Sequence, residues 1–387
     1  MRMAVRIALG IWIMTGVYYF FLGVTTKPFE GDSLAYHLPL ARIIADGKIL
    51  DRRGYTFPGA YFPGMGEAMA AVLMKAGIPL NLFNFFGWIM LFGVVRKIGK
   101  ELEWSKGWPE LAAAVVCMWP SVLRLLLTQT VDIWVGVWWG WAWLLLMGWR
   151  VDSGKLTVKL GLATGLLIGT KISGILYLLP LLIIYGRNWS IKKLVTAGLV
   201  AFVIGGSWYV RNWAWTGNPV YPSNIFGLPG MVGFRTDDWA VWKTLVMYKG
   251  GWSLMAQALT SEYLLWGWGL LLVLWKVDSG KWRVLAGLNF LVYLFLPSWP
   301  ENTLSDLRYA YPVFIPVVIA AVEWARKKKR EEMLAGAMVL MMAAVLTQLD
   351  YRPKLWVGVM ALWLLFRSTP FGFPPSLGGK IRGVKEK

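Results

Sequence analysis

The chain has 387 residues, 57% of them hydrophobic, with 26 Trp and a formal net charge of +19. Soluble domains are nearer half apolar and keep their apolar runs short, so runs of near-bilayer length along the whole chain exclude an ordinary soluble fold. One Cys and one His exclude an internal disulfide and a His-cluster metal site, and leave His37 as the sole histidine for any Ser-His-Asp triad.

A helix crosses the hydrocarbon core with ~20 mostly apolar residues, and Ala4–Val24 is the first such run. It is long and aromatic and no small-residue cleavage site follows it, so it reads as a retained helix rather than a secretory signal. Further helices are predicted at 81–95, 110–127, 131–149, 157–170, 172–186, 194–210, 262–275, 283–297, 309–325, 332–347 and 354–366. The fold class is therefore all-α: a polytopic integral membrane protein with about 12 crossings over residues 1–366, followed by a basic tail at 367–387.

The positive charge belongs to this topology and not to nucleic acid. With the N-terminus in the cytoplasm, most of the 40 Lys and Arg fall in short inner loops, among them Arg96, Lys97, Lys100, Lys106, Arg187, Lys192, Lys193 and the run Arg326 to Arg330, while acids lean to the outer side. Both termini come out cytoplasmic. The partition requires two short helices meeting near Lys171 instead of one long helix over 157–186. Such helices are tolerated at membrane depth only around a protein-lined cavity, which points to a site near Lys171.

Two long outer loops carry the chemistry. The first, 25–80, opens with Phe29-Glu30-Gly31-Asp32-Ser33-Leu34-Ala35-Tyr36-His37-Leu38-Pro39. Asp32 and Ser33 read as the start of a surface helix to about Asp46, with Leu34, Leu38, Ala41 and Ala45 on one face; a second short helix ends near Ala76. The second loop, 211–261, opens with Arg211-Asn212-Trp213-Ala214-Trp215-Thr216-Gly217-Asn218-Pro219, a rigid segment rich in turn formers.

At these residues the chain resembles the GT-C membrane glycosyltransferases, in particular bacterial, mannosyltransferase-like members that use polyprenyl-phosphate sugars. The resemblance rests on Asp32 followed by Tyr-His-Leu-Pro at 36–39, Tyr-Phe-Pro-Gly at 61–64 with Glu67, Thr-Lys at 170–171, Thr-Gly-Asn-Pro-Val-Tyr-Pro at 216–222 and Leu-Arg-Tyr-Ala-Tyr-Pro at 307–312. It covers about residues 1–325. Two departures stand out: many members carry adjacent acids where Gly31 separates Glu30 from Asp32, and larger members add a soluble C-terminal domain. The resemblance implies sugar transfer from a polyprenyl-phosphate donor to a glycan, lipid or protein acceptor at the outer face of the cell membrane. A ligase or polymerase of lipid-linked glycans, and a transporter or flippase of such a lipid, are the rival readings; only one broken-helix region is visible, whereas a transporter is expected to show a symmetric pair.

Such chemistry needs a base for the acceptor hydroxyl and cations for the departing phosphate. Asp32 is the candidate base and Asp132, at the start of its helix, the second candidate catalytic acid; either also suits a helix cap. Lys171, Arg211 and Arg308 sit at predicted outer helix ends, where charges are costly unless used or paired, and with Tyr309 they are the candidate substrate-binding groups. Glu30 and His37 complete that set. Glu30 with Asp32 also offers two carboxylates to a divalent cation, the only cofactor the sequence suggests. Trp213, Trp215 and Trp299 are candidates to stack on a sugar or the polyprenyl chain.

Overall fold

A computed structural model describes residues 3–148, 154–186, 189–224, 227–231, 240–264, 280–298, 300–302, 306–328 and 336. The predicted helices at 332–347 and 354–366, most of that at 262–275, the tail and Trp299 lie outside the described residues. The described part is helical, and four of its helical stretches are long and apolar enough to cross a membrane: Val5–Thr25, Leu80–Glu101, Ile191–Thr216 and Leu307–Lys327. The chain is an integral membrane protein.

Helix α1 (Met3–Thr25) runs antiparallel to α4 (Phe83–Glu101): Gly16 abuts Trp88, and Gly23 abuts Leu82. Between them the first loop folds into α2 (Leu38–Ala45) and α3 (Met65–Lys75). Helix α4 outlasts its predicted end because Arg96 continues the last turns and donates to Glu110 at 2.7 Å. The predicted helix 110–127 is two helices, α5 (Trp108–Cys117) and α6 (Pro120–Leu125). Pro120 has no N–H and drives the preceding residue out of the helical region, and Trp119 is extended, at φ −62° and ψ 140°.

The central hairpin decides the topology. Helix α7 spans Asp132–Met147, α8 Gly154–Thr170, α9 Ser173–Tyr185 and α10 Ile191–Ala201. A π-helical turn at Phe202–Gly206 joins α10 to α11 (Ser207–Thr216). Three glycines set α8 against this stretch: Gly161 meets Ala197 and Val200, Gly165 meets Ala201 and Ile204, and Gly169 meets Gly205. Sequence numbers rise together, so α8 and α10 are parallel. The chain can return between them only if α9 runs back through the bundle, and the two helices predicted to meet at Lys171 do so. The side-chain bonds Trp139 Nε1 to Tyr177 O at 3.0 Å and Trp143 Nε1 to Tyr185 Oη at 3.1 Å align α9 with α7.

Helix α11 also corrects the second loop. It carries Arg211 and Asn212 inside the helix and ends at Gly217, whose φ of +76° suits glycine. Farther on, the loop forms α12 (Val241–Met247) and α13 (Gly251–Tyr263), and the bundle continues with α14 (Gly280–Leu294) and α15 (Tyr311–Lys327). Charges sort to opposite ends. Arg96, Lys100, Lys192, Arg326 and Lys327 sit at one end of their helices, and Asp132, Lys171, Arg211 and Arg308 at the other.

Candidate active site

Four separate parts of the chain meet at that second end. Asp132 opens α7, Lys171 occupies the break between α8 and α9, and Arg308 and Tyr309 ride on a single 3-10 turn, Leu307–Ala310, before α15. Asp32 lies in the first loop just ahead of α2. Lys171 Nζ donates to Asp132 Oδ1 at 2.6 Å. Arg308 Nε lies 3.4 Å from Asp132 Oδ2, a charge contact without hydrogen-bond geometry. Arg308 Nη2 donates to Asp32 Oδ2 at 2.7 Å and reaches Tyr309 Oη at 3.4 Å. Lys171 Nζ also stands 3.5 Å above the Tyr309 ring, a cation–π contact. The result is a chain of alternating charge, Lys171–Asp132–Arg308–Asp32. Asp132 is buried at its centre, and Asp32 is its open end with a side chain 40% exposed.

Asp306 is a third carboxylate beside this chain. It accepts from Ser298 Oγ at 3.0 Å. Burial pushes its carboxyl above the ordinary range, against the opposing pull of Arg308 and the Ser298 hydroxyl.

Glu30, not Asp32, caps the first-loop helix. The Asp32 side chain makes no capping bond; Glu30 Oε2 accepts from both Ser33 N and Ser33 Oγ at 2.7 Å. The two carboxylates turn to different partners, Glu30 to Ser33 and Asp32 to Arg308, and among the described residues no group of three or more His, Cys, Asp or Glu is arranged to hold a metal. His37 is buried, with Nδ1 2.6 Å from Glu67 Oε1, and so ties the first-loop helix to α3. Glu67 follows the Tyr-Phe-Pro-Gly segment, in the first turn of α3, but nothing local in the sequence names its partner.

Arg211 is apart from the charge chain in its contacts. Its guanidinium donates to Tyr55 Oη at 3.2 Å, Ala60 O at 3.3 Å and Asn212 Oδ1 at 2.8 and 3.1 Å. The rings of Tyr55, Trp208 and Trp215 surround it at 4.9 to 5.3 Å. Asn212 Nδ2 reaches Tyr61 O at 2.7 Å and Tyr221 O at 3.2 Å, so this pair joins the two long loops. Of the candidate stacking tryptophans, Trp215 packs on this cage and Trp213 is exposed. Arg211 has no carboxylate partner among the described residues.

No family model matches the chain, and no curated protein matches it either. Among solved structures, the chain is similar to ArnT from Cupriavidus metallidurans in the apo state, with a TM-score of 0.54, 15% identity, and coverage of 92% of this chain and 75% of that one. The same protein bound to undecaprenyl phosphate matches with a TM-score of 0.53 at the same identity and coverage. At this identity the likeness is one of fold: the chain and ArnT share an arrangement of helices.

Proposed function

We propose that this chain is a GT-C-type glycosyltransferase that moves a sugar from a polyprenyl-phosphate donor to an acceptor hydroxyl at the outer face of the cell membrane. The observation that carries the reading is the charge chain Lys171–Asp132–Arg308–Asp32 at one end of a fold shared with ArnT, a protein also solved with undecaprenyl phosphate. A structural membrane protein has no need to gather two acids and two cations from four distant segments at one depth.

In this reading Asp32 is the general base, its Oδ2 oriented by Arg308. The acceptor oxygen attacks the anomeric carbon, its proton passes to Asp32, and the carbon–oxygen bond to phosphate breaks with its electron pair leaving on polyprenyl phosphate. Asp132 holds Lys171 and Arg308 in place. Two carboxylates already balance these two cations, so of the three candidate cations the donor's phosphate falls to Arg211, which no described carboxylate neutralises. Four of its five N–H donors already hold Tyr55, Ala60 and Asn212, so what Arg211 offers a phosphate is chiefly its unneutralised charge.

The test is incubation of the purified protein with a panel of polyprenyl-phosphate sugars, mannose first on the family resemblance. Release of free polyprenyl phosphate with transfer of label supports the reading. Movement of intact lipid-linked sugar across vesicles without release favours a flippase and overturns it.

The orientation has its own check. Cys117 is buried, so single cysteines report cleanly. A membrane-impermeant thiol reagent added to intact cells is expected to label Asn224→Cys, in the second loop, and to spare Ser105→Cys, between α4 and α5; both positions are exposed. Labelling of Ser105→Cys alone would put the charge chain on the cytoplasmic side.

A further inference from the structure

Asp32 and Asp132 are 100 positions apart in sequence, yet the segments carrying them are joined by one hydroxyl. Ser33, next to Asp32, is fully buried. Its Oγ donates to Glu30 Oε2 at 2.7 Å and accepts the backbone N–H of Gln129 at 2.9 Å. Gln129 lies three residues before Asp132, and its Nε2 donates to Leu80 O at 3.1 Å and Asn81 Oδ1 at 2.8 Å. Asn81 Nδ2 in turn donates to Thr26 Oγ1 at 2.9 Å and Thr26 O at 3.1 Å, at the end of α1. Asn84 Nδ2 secures the loop ahead of Asp132 from the other side, at Leu125 O, Thr128 Oγ1 and Thr130 O.

The segment after Asp32 is a π-helical turn, Ser33–His37, a rare geometry that occurs mostly as single-turn bulges in helices, frequently at functional sites. Here both ends are tethered: Ser33 to Glu30 and Gln129, and His37 to Glu67. Asp32 immediately precedes this tethered turn, so the bonds that fix Ser33 also fix the backbone that carries Asp32.

We propose that Ser33, anchored by Glu30, is the positioning residue that sets Asp32 in register with Asp132 and Arg308. The proposal deepens the reading of Asp32 as base and rests on it. It also gives Glu30 a role: the acid that Gly31 separates from Asp32 is the anchor of the serine and takes no part in the chemistry. Ser33 touches no reacting atom in this scheme. Its effect passes through the placement of Asp32, and misplacing a catalytic group by about 1 Å costs on the order of 10²-fold in rate.

The experiment is a double-mutant cycle in the full-length protein. Ser33→Ala is expected to lower kcat ~10- to 10²-fold while the donor KM stays within about twofold, because donor contacts are untouched. In an Asp32→Asn background the same substitution should cause little further loss, since the group it positions is gone. Glu30→Ala should resemble Ser33→Ala. Glu30→Gln, whose amide oxygen still accepts from Ser33, should restore most of the activity; a Glu30 acting through its charge would leave Gln as impaired as Ala. Equal fold-losses from Ser33→Ala in both backgrounds would overturn the proposal.

The cycle is repeated with Tm, which needs no substrate. If Ser33 holds Asp32 on Arg308, the Tm losses of Ser33→Ala and Asp32→Ala are less than additive. Additive losses overturn the proposal even for a protein without transferase activity. A wild-type protein that releases no polyprenyl phosphate counts against the proposed function, whereas an active one with additive losses counts against the Ser33 proposal alone.

Discussion

Asp32→Asn is expected to fold normally and to lose transferase turnover by at least ~10², the low end for removing a positioned base. Asp32 is not the cap of the first-loop helix: its side chain is 40% exposed and makes no cap bond, because Glu30 supplies the cap, and its contribution to stability is the bond to Arg308. Asp32→Ala should therefore be as inactive as Asp32→Asn and nearly as stable, whereas Glu30→Ala should cost about 1 kcal/mol as a lost helix cap. A cap role for Asp32 demands the reverse order, with Asn close to wild type and Ala unstable. The measurement is turnover and thermal stability of the three variants side by side, and a fully active Asp32→Asn protein would transfer the role of base to another acid.

Asp132→Ala is expected to cost about 3–5 kcal/mol, the usual penalty for leaving buried charge without its partner. The Asp132 side chain is 3% exposed and faces two cations, Lys171 at 2.6 Å and Arg308 at 3.4 Å. Its removal leaves Lys171 over the Tyr309 ring without that carboxylate, and Arg308 with Asp32 and Tyr309. Because the penalty comes from the orphaned cation, Lys171→Met in the Asp132→Ala background should recover part of the loss; a double variant as unstable as the sum of the single ones would show that Asp132 matters for another reason. Asp306→Asn is the contrast. Burial raises the Asp306 carboxyl, so the wild-type group is stable at low pH and loses stability as pH rises through the raised value. The amide escapes that loss, and the variant should match or exceed wild-type Tm at neutral pH. Thermal unfolding in detergent at two pH values measures the wild type, Asp132→Ala, Lys171→Met, their double variant and Asp306→Asn.

Much of the architecture was legible because its causes are local. Apolar runs of bilayer length depend only on adjacent residues. The division of the chain at Lys171 followed from where neighbouring basic residues must lie, and the parallel packing of α8 and α10 bears it out. The break before Pro120 was readable in principle, since proline acts on its immediate neighbours; hydropathy alone ran the helix through it. The extension of α11 over Arg211 and Asn212 was hidden by turn-forming residues that begin only at Gly217.

What the sequence determined by itself was the membrane class, the acids and cations placed at one end of the helices, and a resemblance that, with those costly charges, singled out Asp32, Asp132, Lys171, Arg211 and Arg308. Which of these groups meet was decided by tertiary structure. Arg308 and Asp32 are 276 positions apart and Lys171 and Asp132 are 39 apart, and no local signal reaches across such separations. The pairing depends on how closely the helices approach, and Gly161, Gly165, Gly169 and Gly205 permit that approach. The same packing gave Glu30 to Ser33, Glu67 to His37 and an aromatic cage to Arg211. Burial is the physical reason: a charge or hydroxyl taken out of water must find a partner, and in this fold that partner comes from whichever helix end is nearest in space.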